Sequence, residues 1–585
     1  MFSRMAEIIR PILGALFALS LASGPAAHGL EQPEGASRIA AKPLVTAQKQ
    51  MVVAAHPLAA EAALAILRKG GSATDAGIAA QMVLNLVEPQ SSGIGGGAFI
   101  LAWDARNERL ASYDGRETAP SAATPELFLD EAGKPIAKPL AIASGLSIGV
   151  PGVLAALKLA HVRHGKLSWA ELFEPAIALG RNGFAVSPRL AEMLSEADAA
   201  TFTPEARAHF FDAEGRPWPA GHTLKNPALA ETFAAIAREG PEAFYQGEIA
   251  GDIAAAVQSD PRIPGKLSVE DLANYRAKER EPVCVLYRAH RVCAPGPPSS
   301  GAVAVGQVLE LIAPFDLGAT PLTPEAVHLI AEAERLALAD RERYLADSDF
   351  VAVPVAGLLD ANYLAERRAL IDPAQAQTHV APGTPPGTQQ GAFGRGGTRE
   401  RAGTSQISIV DADGNAFSMT TSIEFAFGAR TMVRGFLLNN QLTDFAFAPR
   451  DEEGRENANR VEADKRPRSS MSPTIVFGEN GKLRYVLGSP GGPAIIFFNL
   501  KALVALIDWG LDPAQAAALV NFGSTEERFL LETGAEWDGL EAALRAKGHE
   551  VRRMNLTSGL HIVAVTPRGL EGGADPRREG VALGD

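Results

Sequence analysis

The sequence predicts an α+β fold or αββα layering, and three observations carry that expectation. Between residues 51 and 370, Ala-rich runs with helical spacing alternate with short strand-like runs. Beyond residue 403 the strand-like runs dominate. The composition is that of an ordinary globular chain, 46% hydrophobic and 21% charged, and 585 residues without an internal repeat are ample for a large core.

The N-terminus stands apart. MFSRMAEIIRPILGALFALSLASGPAAHGLE carries Arg4 and Arg10, an apolar run over 12–22, and then Ser23, Gly24, Ala26 and Ala27. This is the layout of a secretory signal peptide, expected over 1–27 with cleavage between Ala22 and His28. The apolar run is short for a membrane span, which leaves an uncleaved anchor as the weaker reading. A polar lead-in follows over 28–48. An exported protein, periplasmic or secreted, with no stable membrane span after signal removal, is expected. The formal net charge of −13 argues against nucleic acid and anionic membranes as partners.

The elements then follow in order. HPLAAEAALAILRKGG predicts a helix stopping at Gly70-Gly71, where glycine admits a left-handed turn. SATDAGIAAQMVLNLVEPQ predicts a second, capped by Ser72 or Thr74 and ending before Pro89. FILAWD and RLASYD read as strands, and PGVLAALKLAHVRHG and PEAVHLIAEAERLALADRERYL as helices. PVCVLYRAHRVCAPG reads as two strands turning at Arg288-Ala289. Cys284 and Cys293, the two cysteines of the chain, then face each other. A disulfide and a pair of buried thiols both fit that placement. Residues 373–403 are rich in Gly, Pro, Thr and Gln and lack periodicity, which predicts a flexible loop. Strands are expected at 405–410, 416–422, 436–438, 474–477 and 483–488, and two helices and more strands close the chain.

Several short patterns suggest chemistry and are outweighed by plainer readings. GLSIG matches a nucleophile elbow around Ser147 after a strand-like LAIAS, but Pro151 and Gly152 follow at once. GIGGGA resembles a dinucleotide fingerprint, yet it follows a helix and opens a strand, so no helix N-terminus faces a phosphate. Close backbone packing near a site is the better reading. His161 and His164 are expected on a solvated helix face, and with no third ligand nearby no metal is expected. No cofactor is expected either.

Thr404 is the remaining candidate. A threonine hydroxyl is a weak nucleophile until a base takes its proton. If the chain is cut before Thr404, the new α-amine, with a pKa of roughly 8, serves as that base. A loose segment delivering Gly403-Thr404 to a sheet edge provides access, and glycine offers little hindrance. A simple junction between loop and strand is the competing reading.

At this point the chain resembles the γ-glutamyltranspeptidase family of N-terminal nucleophile hydrolases. The resemblance runs from about residue 51 to the C-terminus. It rests on GGSATDAGIAAQMVLNLVEPQSSGIGGG, YDGRETAP, GVPG, PPSSG, SIVDADGNAFSMTTS, GFLLNNQLTDF, KRPRSSMSPTIV and GSPGG, in that order. It implies a four-layer αββα sandwich and self-cleavage into a large subunit, 49–403, and a small catalytic subunit, 404–585. It makes Gly403 and Thr404 the processing pair, Thr404 the nucleophile and Ser422 its hydroxyl partner. Gly491 and Gly492 become the oxyanion hole, where two adjacent N–H groups suit a developing oxyanion. A γ-glutamyl group ends in one ammonium and one carboxylate, so its pocket needs both charges. The resemblance assigns Arg116, Ser469 and Ser470 to the carboxylate and Gln441 and Asp444 to the ammonium. It makes glutathione or a related compound the donor, and water, amino acids or peptides the acceptors.

Three departures bear on this. Thr404-Ser405-Gln406 replaces the usual T-T-H. Glu424 stands where many members have an asparagine that touches the substrate amine. A charged stretch, 448–464, occupies the position of the lid. Two rivals remain. One is an acylase for glutaryl amides such as cephalosporin derivatives, whose acyl groups lack the α-amine; Asp444 weighs against it, because an unpaired buried carboxylate is costly. The other is a non-catalytic exported binding homologue.

Overall fold

The structure is a computed structural model and describes residues 40–388, 393–396 and 403–585. The expected export signal lies outside the described residues, as do 28–39, 389–392 and 397–402.

Local chemistry starts and stops the first helices. Pro57–Arg68 begins on His56, whose Nδ1 accepts the Leu58 N–H at 3.2 Å. Pro57 sits in the first turn, where a missing N–H loses no bond. The helix stops at Gly70, with φ of +92°. Ala73–Val87 is capped by Ser72 rather than Thr74: Ser72 Oγ accepts from Asp75 N at 3.1 Å, and Asp75 accepts from Ser72 N at 2.9 Å. This helix is buried on every side.

Two seven-stranded antiparallel sheets stack face to face. The first runs, edge to edge, Val581–Gly584, Met51–Ala54, Thr404–Val410, Ala416–Ser422, Gly97–Asp104, Arg109–Gly115 and Lys278–Arg280. The second runs Val45–Ala47, Gly569–Ala574, His561–Thr566, Leu483–Gly488, Thr474–Phe477, His290–Pro295 and Pro282–Tyr287. Pro57–Arg68, Ala73–Val87 and Val153–His164 cover the outer face of the first sheet. Gly301–Ile312, Pro324–Tyr344 and Ile495–Ile507 cover that of the second. Between the sheets lies a separate core that includes Met51, Leu101, Val410, Ile475 and Val563. Trp103 and Phe477 meet there across the two sheets, with ring centroids 4.6 Å apart. Three apolar layers thus hold four structural ones together, the αββα sandwich expected.

Several expectations need correction. The strand-like 140–144 instead begins inside a short helix, Lys138–Ile142, with Pro139 in its first turn. The segment 373–388 is not loose, because its backbone N–H groups find buried carboxylates on Pro324–Tyr344. Gln377 N donates to Glu332 at 2.9 Å and Gly383 N to Asp340 at 2.8 Å. The 436–438 strand is only Phe436–Leu437, paired with Met432–Val433. A third closing helix, Asp538–Ala546, was not foreseen. His161 and His164 are half-buried rather than solvated: His161 Nε2 lies 3.0 Å from Leu167 O and His164 Nε2 2.7 Å from Tyr113 Oη. Cys284 and Cys293 sit directly opposite in their hairpin and form a disulfide.

Candidate active site

The site begins where the Thr404–Val410 strand starts. Side chains alternate between faces along a strand. Ile407 and Ile409 enter the helix-side core, and Val410 enters the core between the sheets. Thr404 therefore faces the inter-sheet space and Ser405 faces the helices. Ser405 Oγ indeed donates to Glu88 at the end of Ala73–Val87, at 2.7 Å, and the two candidate nucleophiles are separated by the pleat.

Thr404 pairs with Ser422 across the ladder. Three bonds converge on Ser422. Its Oγ donates to Gly403 O at 2.6 Å, accepts from Thr404 Oγ1 at 3.3 Å and accepts from Glu424 N at 2.8 Å. A Cβ on Gly403 would lie 2.0 Å from Glu424 O, so the backbone admits only glycine there without shifting. Arg578 Nη1 approaches Thr404 O at 3.4 Å.

Thr404 and Ser422 open onto a cavity that Arg116, Gln441, Asp444, Ser469, Ser470 and Gly492 also line. Gly491 and Gly492 form the turn after Leu483–Gly488, both with positive φ, at +138° and +56°. Arg116 is fully buried; it donates to Asp444 at 2.6 Å, to Arg468 O at 2.8 Å and to Pro467 O at 3.1 Å. Gln441 Nε2 donates to the same Asp444 oxygen at 2.9 Å. The expected cation and anion are thus side by side at one wall of the cavity.

Two further carboxyls lie behind the site. Burial pushes Glu117 up to about 8, although Arg116, 3.7 Å away, pulls it down. Desolvation wins, so Glu117 is largely neutral at pH 7 and Asp444 is the counter-charge of Arg116. Burial likewise pushes Glu88 up to about 7, against Arg189, Arg578 and the Ser405 hydroxyl.

Most of the expected site residues meet here. Glu424 is buried two residues beyond Ser422, with φ of +74°, but it is not among the cavity-lining residues. Ser147 is buried elsewhere, its hydroxyl donating to Ser144 O at 3.0 Å. The GIGGGA glycines do pack close: Cβ atoms on Gly95 and Gly96 would lie 2.1 Å from Leu437 O and Ser422 O. Met471 and Ile495 also line the cavity and were missed, Met471 as an apolar residue in a motif read for its polar members and Ile495 as a residue three beyond GSPGG. Arg578 was missed too; 174 residues separate it from Thr404, and no local pattern links them. Among the described residues, no group of three or more His, Cys, Asp or Glu is placed to hold a metal.

Two stacked antiparallel sheets between helical layers, with a hydroxyl residue opening a central strand of one sheet and facing the other, define the N-terminal nucleophile hydrolase class. Solved structures agree: cephalosporin acylase from Bacillus halodurans superposes with a TM-score of 0.81 at 27% identity, covering 94% of this chain and 99% of that one. Residues 59–585 match the family model for gamma-glutamyltranspeptidase, and the chain belongs to that family. The glutathione hydrolase proenzyme of Bacillus subtilis (strain 168) is 35% identical over 546 residues, 91% of either chain. That of Escherichia coli (strain K12) is 34% identical over 595 residues, 98% of either chain.

Proposed function

We propose that this chain is an exported γ-glutamyl hydrolase and transpeptidase that activates itself by cutting between Gly403 and Thr404. The observation that carries the reading is the hydrogen-bond geometry at that peptide: Ser422 holds the Gly403 carbonyl at 2.6 Å and the Thr404 hydroxyl at 3.3 Å. Thr404 Oγ1 attacks the Gly403 carbonyl carbon, whose oxygen Ser422 polarises. The Oγ1 proton passes to the Thr404 nitrogen as the C–N bond breaks, so the acyl group moves from nitrogen to oxygen, and water hydrolyses the ester. A carboxylate at Gly403 and a free α-amine at Thr404 result. Residues 49–403 and 404–585 then form the large and small subunits.

In the mature enzyme the Thr404 α-amine takes the hydroxyl proton as Oγ1 attacks the γ-amide carbonyl. The N–H groups of Gly491 and Gly492 receive the oxyanion, and the proton passes to the leaving amine. Water then releases glutamate, or an amino acid or peptide accepts the acyl group. Arg116, Ser469 and Ser470 bind the donor's α-carboxylate; Asp444 and Gln441 bind its ammonium. The names of the glutathione hydrolase relatives support glutathione as donor. The signal-like 1–27 supports a periplasmic or secreted location. Among the described residues no helix is long and apolar enough to cross a membrane.

The resemblance to a cephalosporin acylase favours a second reading, hydrolysis of glutaryl amides. Asp444 and Arg116, side by side at the cavity wall, support the γ-glutamyl reading, since that donor brings an ammonium and a carboxylate to meet both, whereas a glutaryl group brings only the carboxylate. The test is the mass and N-terminal sequence of the purified protein beside Thr404→Ala. Two fragments, the smaller beginning Thr-Ser-Gln-Ile, with an uncut variant, are expected. A wild-type chain that stays whole would instead point to a non-catalytic homologue. Faster turnover of glutaryl-p-nitroanilide than of γ-glutamyl-p-nitroanilide would move the assignment to the acylase.

A further inference from the structure

We infer that Arg341 is a positioning residue for donor recognition, one guanidinium holding both serines that receive the α-carboxylate; the inference rests on the γ-glutamyl reading. Arg341 is buried in the last turn of Pro324–Tyr344. Its Nη2 donates to Ser470 Oγ at 2.7 Å, and its Nε donates to Ser300 Oγ at 2.8 Å. Ser300 passes that hold to Ser469, whose carbonyl accepts both the Ser300 hydroxyl at 2.8 Å and the Ser300 N–H at 2.7 Å. The PPSSG stretch around Ser300 also meets Ser469 through a parallel bridge at Ser299 and a bond from Ser469 N to Pro298 O at 3.0 Å.

The third arm of the guanidinium closes a circuit. Nη1 donates to Glu342 Oε1 at 2.6 Å, and both oxygens of Glu342 accept from Arg468 Nη2 at 2.9 Å. Arg468 O accepts from Arg116 Nη2 at 2.8 Å. The Arg116 cation, the Ser470 hydroxyl and the Ser469 backbone are therefore joined through a single network, buried except at the half-buried Glu342.

The chemistry gives the network a direction. A serine hydroxyl has one proton to donate and two acceptor positions. Receiving Arg341 uses an acceptor position of Ser470, so the proton turns away from the guanidinium, and a carboxylate requires a donor. The charge on Arg341 also polarises the hydroxyl and strengthens its donation. A lysine ammonium is a point charge and cannot reproduce the Nε and Nη2 bonds in one plane.

The experiment compares γ-glutamyl-p-nitroanilide with 4-aminobutyryl-p-nitroanilide, which keeps the ammonium and lacks the α-carboxylate. Arg341→Gln is expected to self-cleave and to raise KM for the γ-glutamyl donor by about tenfold or more, the size expected for a lost charge-assisted bond. Its kcat should stay within about threefold, and kcat/KM for the carboxylate-free donor should not change. Arg341→Lys should recover only part of the loss. Ser300→Ala, a milder change, should weaken the γ-glutamyl donor alone and decides the matter if Arg341→Gln does not fold. Equal losses on both donors would overturn the inference and leave Arg341 a structural prop. Ser470→Ala is run in parallel. If it too affects both donors equally, the γ-glutamyl reading of the pocket has failed, separately from the role of Arg341.

Discussion

Ser422 gathers three hydrogen bonds on one hydroxyl, and the self-cleavage proposal turns on their directions. Its proton goes to Gly403 O, while Glu424 N and Thr404 Oγ1 donate to it. Ser422→Ala removes the donor on the carbonyl under attack. Self-cleavage should slow by roughly a hundredfold to a thousandfold, the range for losing one oxyanion donor. The fraction of uncut chain over time, resolved on a denaturing gel, measures it; Ser422→Thr, which keeps the hydroxyl, should cleave. Gly403→Ala acts differently. The new Cβ would lie 2.0 Å from Glu424 O, a backbone atom, so the scissile peptide must shift. A displacement of that order warrants a cleavage rate roughly a hundredfold lower. Cleavage at the wild-type rate would show that the backbone yields there without harm to the chemistry.

At the scale of elements, the caps of the first two helices lend themselves to measurement. Burial lowers His56 to about 4, and its neutral Nδ1 caps Pro57–Arg68. The folded value lies below the unfolded one, so as pH falls below about 6.5 the unfolded chain takes up the proton first. Stability from this group is whole above pH 6.5 and is lost as pH falls toward 4, by roughly 3 kcal/mol. His56→Asn keeps an acceptor for Leu58 N and removes the titration. The drop in Tm between pH 7 and pH 4.5 should be smaller in the variant, and an unchanged drop would remove His56 from the acid response. Ser72→Ala opens the capping box of Ala73–Val87 and should cost about 1 kcal/mol in denaturant unfolding. The Thr74 alternative predicts no effect at Ser72.

At the scale of the molecule, both sheets are woven from the two sides of the Gly403–Thr404 peptide. In the first, Thr404–Val410 and Ala416–Ser422 lie between Met51–Ala54 and Gly97–Asp104. In the second, Val45–Ala47 and His290–Pro295 flank the run of strands from the C-terminal part. Cutting one peptide leaves every ladder bond between these strands in place. The cleaved protein should therefore migrate as one particle in gel filtration and separate only in denaturant. Either half expressed alone should remain unfolded or aggregate, because its strands would expose unpaired edges. A soluble, monomeric 404–585 fragment would contradict this.

Sequence by itself determined much of this protein. Strand period, helical spacing and turn residues announced mixed helix and strand layers, the stop at Gly70 and the hairpin around Arg288, and the family resemblance narrowed the layers to αββα. Thr404, Ser422, Arg116, Asp444 and the serine and glycine pairs lay within motifs long enough to read, because each motif is local. Tertiary structure decided the rest. Ser72 over Thr74 depended on which hydroxyl Asp75 could answer. The disulfide required a register that put Cys284 directly opposite Cys293. The order in 373–388 came from Glu332 and Asp340, carboxylates on a helix dozens of residues upstream. Arg341, Arg578 and Ser300 act across 41 to 174 residues of chain. Hydrogen bonds are short-ranged in space and indifferent to separation along the chain, so such partners become visible only once the sheets have stacked.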